Sequence, residues 1–188
     1  MKKIDLGCGN SKKNGFIGVD CLSLPNVDII HNLNQFPYPF KSDEIDEIWM
    51  DQCLEHVEHP TMVVDEIYRI CKNGAKITIG VPFFRSVYAF IDPTHRNFFT
   101  PEWFNYFDPN HVFYKRYAYS SSQFSVDRIQ FDREWDIYFY NNYIFVKWRL
   151  LLHKLIVSFA NIKPFVYTVK VSHFYPLNSL TFYLTVIK

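Results

Sequence analysis

The sequence predicts an α/β domain built on a parallel sheet wound on both sides. Three observations predict it. Short apolar runs that end in polar or acidic residues recur from Lys2 to Val81. A stretch with helical periodicity opens at Pro60, between two of these runs. The links are short, and strand–helix alternation with short links favours parallel strands with crossovers on the sheet faces.

The elements follow in order. Strand 1 covers Lys2–Leu6, strand 2 Phe16–Asp20, strand 3 Val27–Asn32 and strand 4 Ile45–Asp51. Pro60 opens a helix to about Lys72, since proline suits a first helical turn. Val63, Val64, Ile67, Ile70 and Cys71 share one face,. Asn73-Gly74 is expected to close that helix. Ala75–Val81 is a continuous apolar strand 5, as expected where both sheet faces are covered. Ligands on such sheets bind beyond the strand carboxyl ends. Gly7–Asn10, Asp20-Cys21, Asn32-Leu33, Asp51-Gln52 and Pro82-Phe83 should therefore meet in one cleft.

Composition narrows the function classes. At 48% hydrophobic and 21% charged residues the chain can build a globular core,. Its net charge of +1 gives no electrostatic reason to expect a nucleic-acid partner,. Cys8, Cys21, Cys53 and Cys71 form no Cys-x-x-Cys pair, and reduced thiols in a cytoplasmic protein are expected. Lys2-Lys3 lead straight into Ile4-Asp5-Leu6, so no signal peptide is expected. No uncharged apolar run reaches the roughly 18 residues of a membrane span.

The first two strands carry the strongest functional signal. Gly7-Cys8-Gly9 lets the chain turn tightly and a ligand approach closely, and Asp20 ends strand 2 where a carboxylate can accept from two ribose hydroxyls. A dinucleotide fingerprint needs a third glycine where Lys12 stands. The pair Asp5 and Asp20 around Gly-Cys-Gly instead resembles the first motif of class I S-adenosylmethionine (SAM) methyltransferases. The resemblance continues in order through Asn32-Leu33, Pro37-Tyr38-Pro39-Phe40, Asp46-Glu47-Ile48, Leu54-Glu55-His56-Val57, Glu66–Ile70, Asn73–Ile77 and Val81-Pro82. Asp92-Pro93-Thr94-His95-Arg96 and Phe98-Phe99-Thr100-Pro101 resemble a stretch of short, mostly uncharacterised members.

This resemblance implies a Rossmann-like doubly wound seven-stranded sheet, mostly parallel with an antiparallel strand 7, in one domain over 1–188. It implies S-adenosyl-L-methionine as cofactor, held by Asp5, Leu6, Gly7, Cys8, Gly9, Asn10, Asp20, Cys21, Asn32, Leu33 and Asp51. Asn32 stands where many members carry an acid, and its carbonyl can accept from the adenine amino group. Asp20 follows Asp5 by 15 positions, against about 20 in a dinucleotide unit, so the first crossover should be a turn. Strand 1 begins at the first residues, so a lid is expected from 83–118 or from the C-terminal third.

Strands 6 (Val126–Tyr138) and 7 (Leu180–Ile187) are separated by an insert, 140–176. It should contain a helix over Tyr143–Ala160 with a broad apolar stripe of Ile144, Trp148, Leu151, Leu152, Leu155 and Phe159. A narrower stripe of Val146, Leu150 and Val157 runs nearly opposite, with Lys147, Arg149, His153 and Lys154 between the two. The broad stripe is expected to pack on the domain, with a homodimer or membrane-surface contact as the alternative.

Methyl transfer to a hydroxyl needs a base near neutral pH, and histidine suits that task. His95 is the candidate base, with His56 lining the acceptor side. His95 tying down its own loop is the alternative. Arg85, Arg96 and Tyr88 are candidate acceptor contacts. Most of the other aromatics after strand 5, notably Trp103, Phe104 and Phe107, are expected in the core. His56 and His59 beside Glu55 and Glu58 match zinc spacing poorly, and no metal is expected. Asp51-Gln52-Cys53-Leu54 lacks the Asn/Asp-Pro-Pro-Tyr pattern of base-nitrogen methyltransferases, so the expected acceptor is a small molecule or a glycan precursor. The competing expectation is a catalytically inactive binding or assembly module that keeps the fold.

Overall fold

In the computed structural model, residues 1–132 and 147–188 are described. Seven strands form one sheet: β1 (Lys3–Leu6), β2 (Ile17–Asp20), β3 (Ile29–Ile30), β4 (Ile45–Asp51), β5 (Cys71–Pro82), β6 (Phe124–Phe131) and β7 (Ser179–Val186). Their order across the sheet is β3-β2-β1-β4-β5-β7-β6. Strands β1 to β5 pair in parallel, and β7 runs antiparallel between β5 and β6. This is the predicted α/β architecture with its antiparallel strand 7.

The central strands turn an apolar face into the core at every second residue. Ile4 and Leu6 in β1, Ile48 and Met50 in β4, and Ile77, Ile79 and Val81 in β5 are all buried. Helix α1 (Pro60–Ile70) buries Val63, Val64, Ile67 and Ile70 against the sheet. The links β1–β2, β2–β3 and β3–β4 contain no helix, so the shortened first crossover is a feature shared by three consecutive links. Between β5 and β6 lie α2 (Tyr88–Ile91), a 3-10 turn (Trp103–Tyr106) and α3 (Val112–Tyr117). Phe104 and Phe107 are buried and Trp103 packs against the core, as their spacing predicts.

Three boundaries differ from expectation. Helix α1 stops at Ile70 because Cys71, fully buried, already pairs with Ile45 in extended conformation. Asn73-Gly74 is consequently not a helix cap. The pairing jumps from Cys71 to Lys76, and Gly74 at φ +79° sits in the intervening bulge,. Strand β3 is short because Val27 belongs to a turn, its N–H donating to Leu24 O at 3.0 Å. Asp28 is likewise diverted, its carboxylate accepting from Gly18 N and Lys12 Nζ. Strand β6 runs over Phe124–Phe131; the predicted continuation to Tyr138 lies mostly outside the described residues.

The insert before β7 holds α4 (Lys147–Ile162), α5 (Pro164–Val166) and a π turn (Tyr167–Val171). The first part of the predicted helix, with Ile144 and Val146, lies outside the described residues. The orientation of α4 reverses the expected packing. His153, Val157 and Ala160 are buried, whereas Leu151, Leu152, Leu155, Phe159 and Ile162 are exposed. The narrow side of the helix meets the domain because small Ala160 and Val157 allow close approach, with Asn161 Oδ1 accepting from Phe131 N at 2.6 Å. No helix among the described residues is long and apolar enough to cross a membrane.

Candidate functional site

The loop after β1 is held against β2. Gly7 N and Cys8 N both donate to Val19 O, at 2.8 and 3.2 Å. Gly7 has φ +72°, and a Cβ placed there would stand 2.2 Å from Cys53 Sγ. Cys53 therefore occupies the space that the glycine leaves. Asp20, at the end of β2, turns back toward the same loop: Oδ2 accepts from Gly9 N at 2.9 Å and Oδ1 from Leu22 N at 3.0 Å. Each oxygen keeps a lone pair for a further donor.

Gly7, Asp20, Cys21, Asn32, Leu33, Asn34, Cys53, His56 and Val57 line a pocket of about 270 Å³. That is just under the usual range for small-ligand sites. Five of the predicted cofactor residues line it: Gly7, Asp20, Cys21, Asn32 and Leu33. Asn32 Oδ1 accepts from Asn34 N at 2.9 Å, an Asx turn that also brings Asn34 to the pocket,.

The other predicted cofactor residues frame this loop. Asp5 is buried, and its Oδ2 accepts from Lys13 N at 2.7 Å. Burial, with Asp51 and Asp20 nearby, holds its carboxyl above the usual range, against the Lys13 bond,. Leu6 is a core residue. Cys8 is buried, and burial together with Asp5 and Asp20 pushes its thiol up to about 11. Gly9 has φ +49°, and exposed Asn10 accepts from Asn26 Nδ2 through its backbone carbonyl. Asp51 ends β4 half-buried. Gln52, next in the chain, adopts the strained φ of +50° that turns the chain toward Cys53,.

A second group adjoins the pocket at His56. Glu55 is 1% exposed, and neither carboxylate oxygen has a hydrogen-bond partner. Burial, reinforced by Asp51 and Asp92, pushes its carboxyl up to about 8,. His95 Nε2 stands 3.9 Å from Glu55 Oε1. The His56 and His95 rings meet edge to face with centroids 4.6 Å apart. Burial and the neighbouring His95 hold the His56 imidazole below its ordinary value. The loop carrying His95 is fixed by its backbone, since Arg96 N and Asn97 N both donate to Glu55 O.

These contacts orient both rings. The Ala89 carbonyl can only accept, so His95 Nδ1, 3.1 Å away, carries a proton and Nε2 is the nitrogen turned toward Glu55,. Thr94 spends its hydroxyl hydrogen on Asp92 Oδ1 at 2.7 Å. It must then accept from His56 Nδ1 at 2.8 Å, which leaves a lone pair on His56 Nε2.

The predicted acceptor contacts are dispersed. Arg96 is exposed and pairs with Glu58 at 3.2 Å. Arg85 meets the His173 ring nitrogens at 3.0 and 3.3 Å. Tyr88 is exposed on α2. None of the three lines the pocket. Cys53, Asn34, Val57 and Thr94 were not singled out as site residues by the sequence. The left-handed turn at Gln52 and the Asx turn at Asn32 bring Cys53 and Asn34 in, and neither has a spacing signature.

A family model described as a methyltransferase domain matches residues 24–79. No curated protein matches. Among solved structures, a SAM-dependent methyltransferase from Archaeoglobus fulgidus aligns at 14% identity over 98% of this chain and 85% of that chain, with a TM-score of 0.55. The (4+2)-cyclase SpnF aligns at 14% identity over 99% of this chain and 74% of that one, with a TM-score of 0.56. A complex of the Haloferax volcanii Trm112 methyltransferase activator matches in part, at 20% identity over 43% of this chain and 44% of that chain, with a TM-score of 0.34. The sheet order, the Gly7–Gly9 loop facing Asp20 and the two alignments that span nearly the whole chain agree. The chain has the fold of the class I SAM-dependent methyltransferases.

Proposed function

We propose that the protein is a SAM-dependent methyltransferase acting on an oxygen or nitrogen of a small molecule or glycan precursor. One observation carries this reading: the pocket that contains Gly7 and Asp20 shares His56 with the Glu55–His95 cluster. A nucleoside site and a set of proton-handling groups are therefore contiguous. The residues fit the cofactor, because Asp20 keeps lone pairs for ribose hydroxyls where it lines the pocket. When bound, the cofactor supplies an electrophilic methyl group on a sulfonium. Asn32 and Leu33 face the adenine in this reading, and Asp5, Leu6, Cys8, Gly9, Asn10, Cys21 and Asp51 shape the loops around it.

His95 is held through Nδ1 by the Ala89 carbonyl, and its Nε2 is the atom that draws a proton from an acceptor hydroxyl in this reading,. His56 borders both spaces. Arg96, next to His95 in the chain, and exposed Tyr88 are the acceptor contacts. Arg85 reaches an acceptor only by giving up His173. The four described thiols are free, which suits the cytoplasmic setting of this reading,.

The partner surface follows from α4. Leu151, Leu155, Phe159 and Ile162 form an exposed stripe at helical spacing,. From Ile137 to Lys188 the chain has no acidic residue and six Lys and Arg. Exposed apolar residues among lysines suit peripheral contact with an anionic bilayer.

Isothermal titration with SAM and S-adenosylhomocysteine tests the cofactor reading. Labelled SAM with a metabolite extract then tests transfer. Binding without transfer to any acceptor favours the inactive module, and absence of binding rejects the proposal. The cyclase among the structural neighbours makes the transfer assay necessary, since the fold alone does not fix the reaction.

A further inference from the structure

We propose that Glu55, His56 and His95 form a binding site for one divalent transition-metal ion at the acceptor end of the cleft. One ligand atom from each residue lies within 4.8 Å of the others. Two imidazoles and one carboxylate on one side of an ion are a donor set suited to divalent transition metals, with coordination positions left open.

Three features beyond proximity support the site. First, Glu55 is almost fully buried with both oxygens unpartnered. Leaving such a group unsatisfied costs about 1–3 kcal/mol, so the position needs an occupant or a function. Second, each histidine commits Nδ1–H to an oxygen, His95 to Ala89 O and His56 to Thr94 Oγ1. Both rings are thereby oriented through Nδ1 with Nε2 turned away from that contact, the arrangement found where a second contact orients a metal-ligating histidine,. Third, Thr94 is itself fixed by Asp92, whose Oδ1 accepts from both its N–H and its hydroxyl. Ligands at about 2.0–2.2 Å from one ion stand roughly 3–3.5 Å apart. The 3.9 Å gap between His95 Nε2 and Glu55 Oε1 would close by a few tenths of an ångström to reach that spacing, and the remaining separations, up to 4.8 Å, by as much as about 1.3 Å, within reach of side-chain rotation,.

The chemical consequence rests on the methyltransferase reading. An acceptor hydroxyl bound at an open position loses its proton to solvent more readily, because the cation lowers its pKa. The ion then takes over from His95 the task of activating the acceptor. The oxygen's electron pair forms the bond to the methyl carbon, and the C–S bond breaks with its pair going to sulfur. The acceptor class that follows is an oxygen nucleophile able to ligate a metal, such as a vicinal diol or a hydroxy acid.

Titration of the full chain with Co²⁺, followed by visible absorption, and with Zn²⁺, followed by calorimetry, tests the site. One equivalent should bind. Glu55→Gln and His95→Ala should each weaken binding at least tenfold. Thr94→Val, which leaves all three ligands in place, should weaken it about 10–100-fold through loss of His56 orientation. His59→Ala should change nothing. Circular dichroism and SAM titration on each variant separate loss of the site from loss of the fold. Failure of the wild type to bind either ion, or unchanged binding in folded Glu55→Gln, overturns the proposal. Metal binding without SAM binding refutes the methyltransferase reading and leaves the site standing; SAM binding without metal binding does the reverse.

Discussion

Replacing Gly7 with alanine should destabilise the protein by about 2–5 kcal/mol, in two separable parts. Gly7 has φ +72°, and an L-residue in the left-handed region costs roughly 1–2 kcal/mol. The new Cβ would also stand 2.2 Å from Cys53 Sγ and 2.7 Å from Cys53 Cβ. Rotating the thiol relieves the first contact. The second persists, because the Cys53 Cβ is fixed by its backbone, so an overpacking cost of about 1–3 kcal/mol remains. Urea unfolding of wild type, Gly7→Ala, Cys53→Gly and the double variant checks this. In the Cys53→Gly background the alanine should cost only the left-handed part. The cycle should thus show a coupling of about 1–3 kcal/mol. Strict additivity, or a Gly7→Ala cost below about 1 kcal/mol, would refute the claim that Cys53 fills the space left by the glycine. Since Cys53 lines the pocket, the same variant should bind SAM less tightly.

Asp20→Ala should weaken SAM binding by about 1–3 kcal/mol, or roughly 5–150-fold, by calorimetry; an unchanged affinity removes Asp20 from the ribose position. Glu66 accepts from Tyr38 N and pairs with Arg69 at 2.6 Å. Burial pushes its carboxyl up, but the Arg69 and Tyr38 bonds win and hold it below its ordinary value. Its contribution is therefore full above pH about 4.5 and is lost as pH falls through the lower folded value. The stability difference between wild type and Glu66→Gln should shrink on acidification below that point; a difference that grows there rejects the sign. Co-sedimentation with phosphatidylserine-containing vesicles should be lost in Leu155→Asp and reduced by high salt. A salt-insensitive dimer in sedimentation velocity would instead assign the α4 stripe to a second copy of the chain.

Much of the fold was legible because the core-facing positions of the strands recur at every second residue. Ile48 and Met50 in β4, and Ile77, Ile79 and Val81 in β5, are buried at that spacing, and short runs of this kind are easy to find,. Boundaries were less legible where side chains compete with the ladder. Asp28 caps Gly18 N and shortens β3. Buried Cys71 pulls the chain into β5 before Asn73-Gly74 can close the helix. The packing face of α4 was misjudged for a different reason. Apolar count favoured Leu151, Leu155 and Phe159, but close approach to the sheet favours small residues, and Val157 and Ala160 took the buried side.

The candidate site divides along the same line. Residues placed by strand ends, such as Gly7, Asp20, Asn32 and Leu33, could be found by order alone. The Glu55–His56–His95 cluster could not, because its third member comes from a loop far along the chain. The His56-Val57-Glu58-His59 spacing drew attention to His59, yet His59 is exposed and His95 takes the place beside Glu55. What links the distant parts is backbone: Glu55 O accepts from both Arg96 N and Asn97 N, and Asn97 Nδ2 reaches Val57 O at 2.7 Å. The loop that carries His95 is thus bonded to the segment that carries Glu55 and His56. These three backbone-directed contacts make the cluster part of the scaffold, so its geometry does not wait for an acceptor to assemble it. A site prepared in this way suits either a fixed base or a resident ion, and the unpartnered, buried Glu55 favours the ion,.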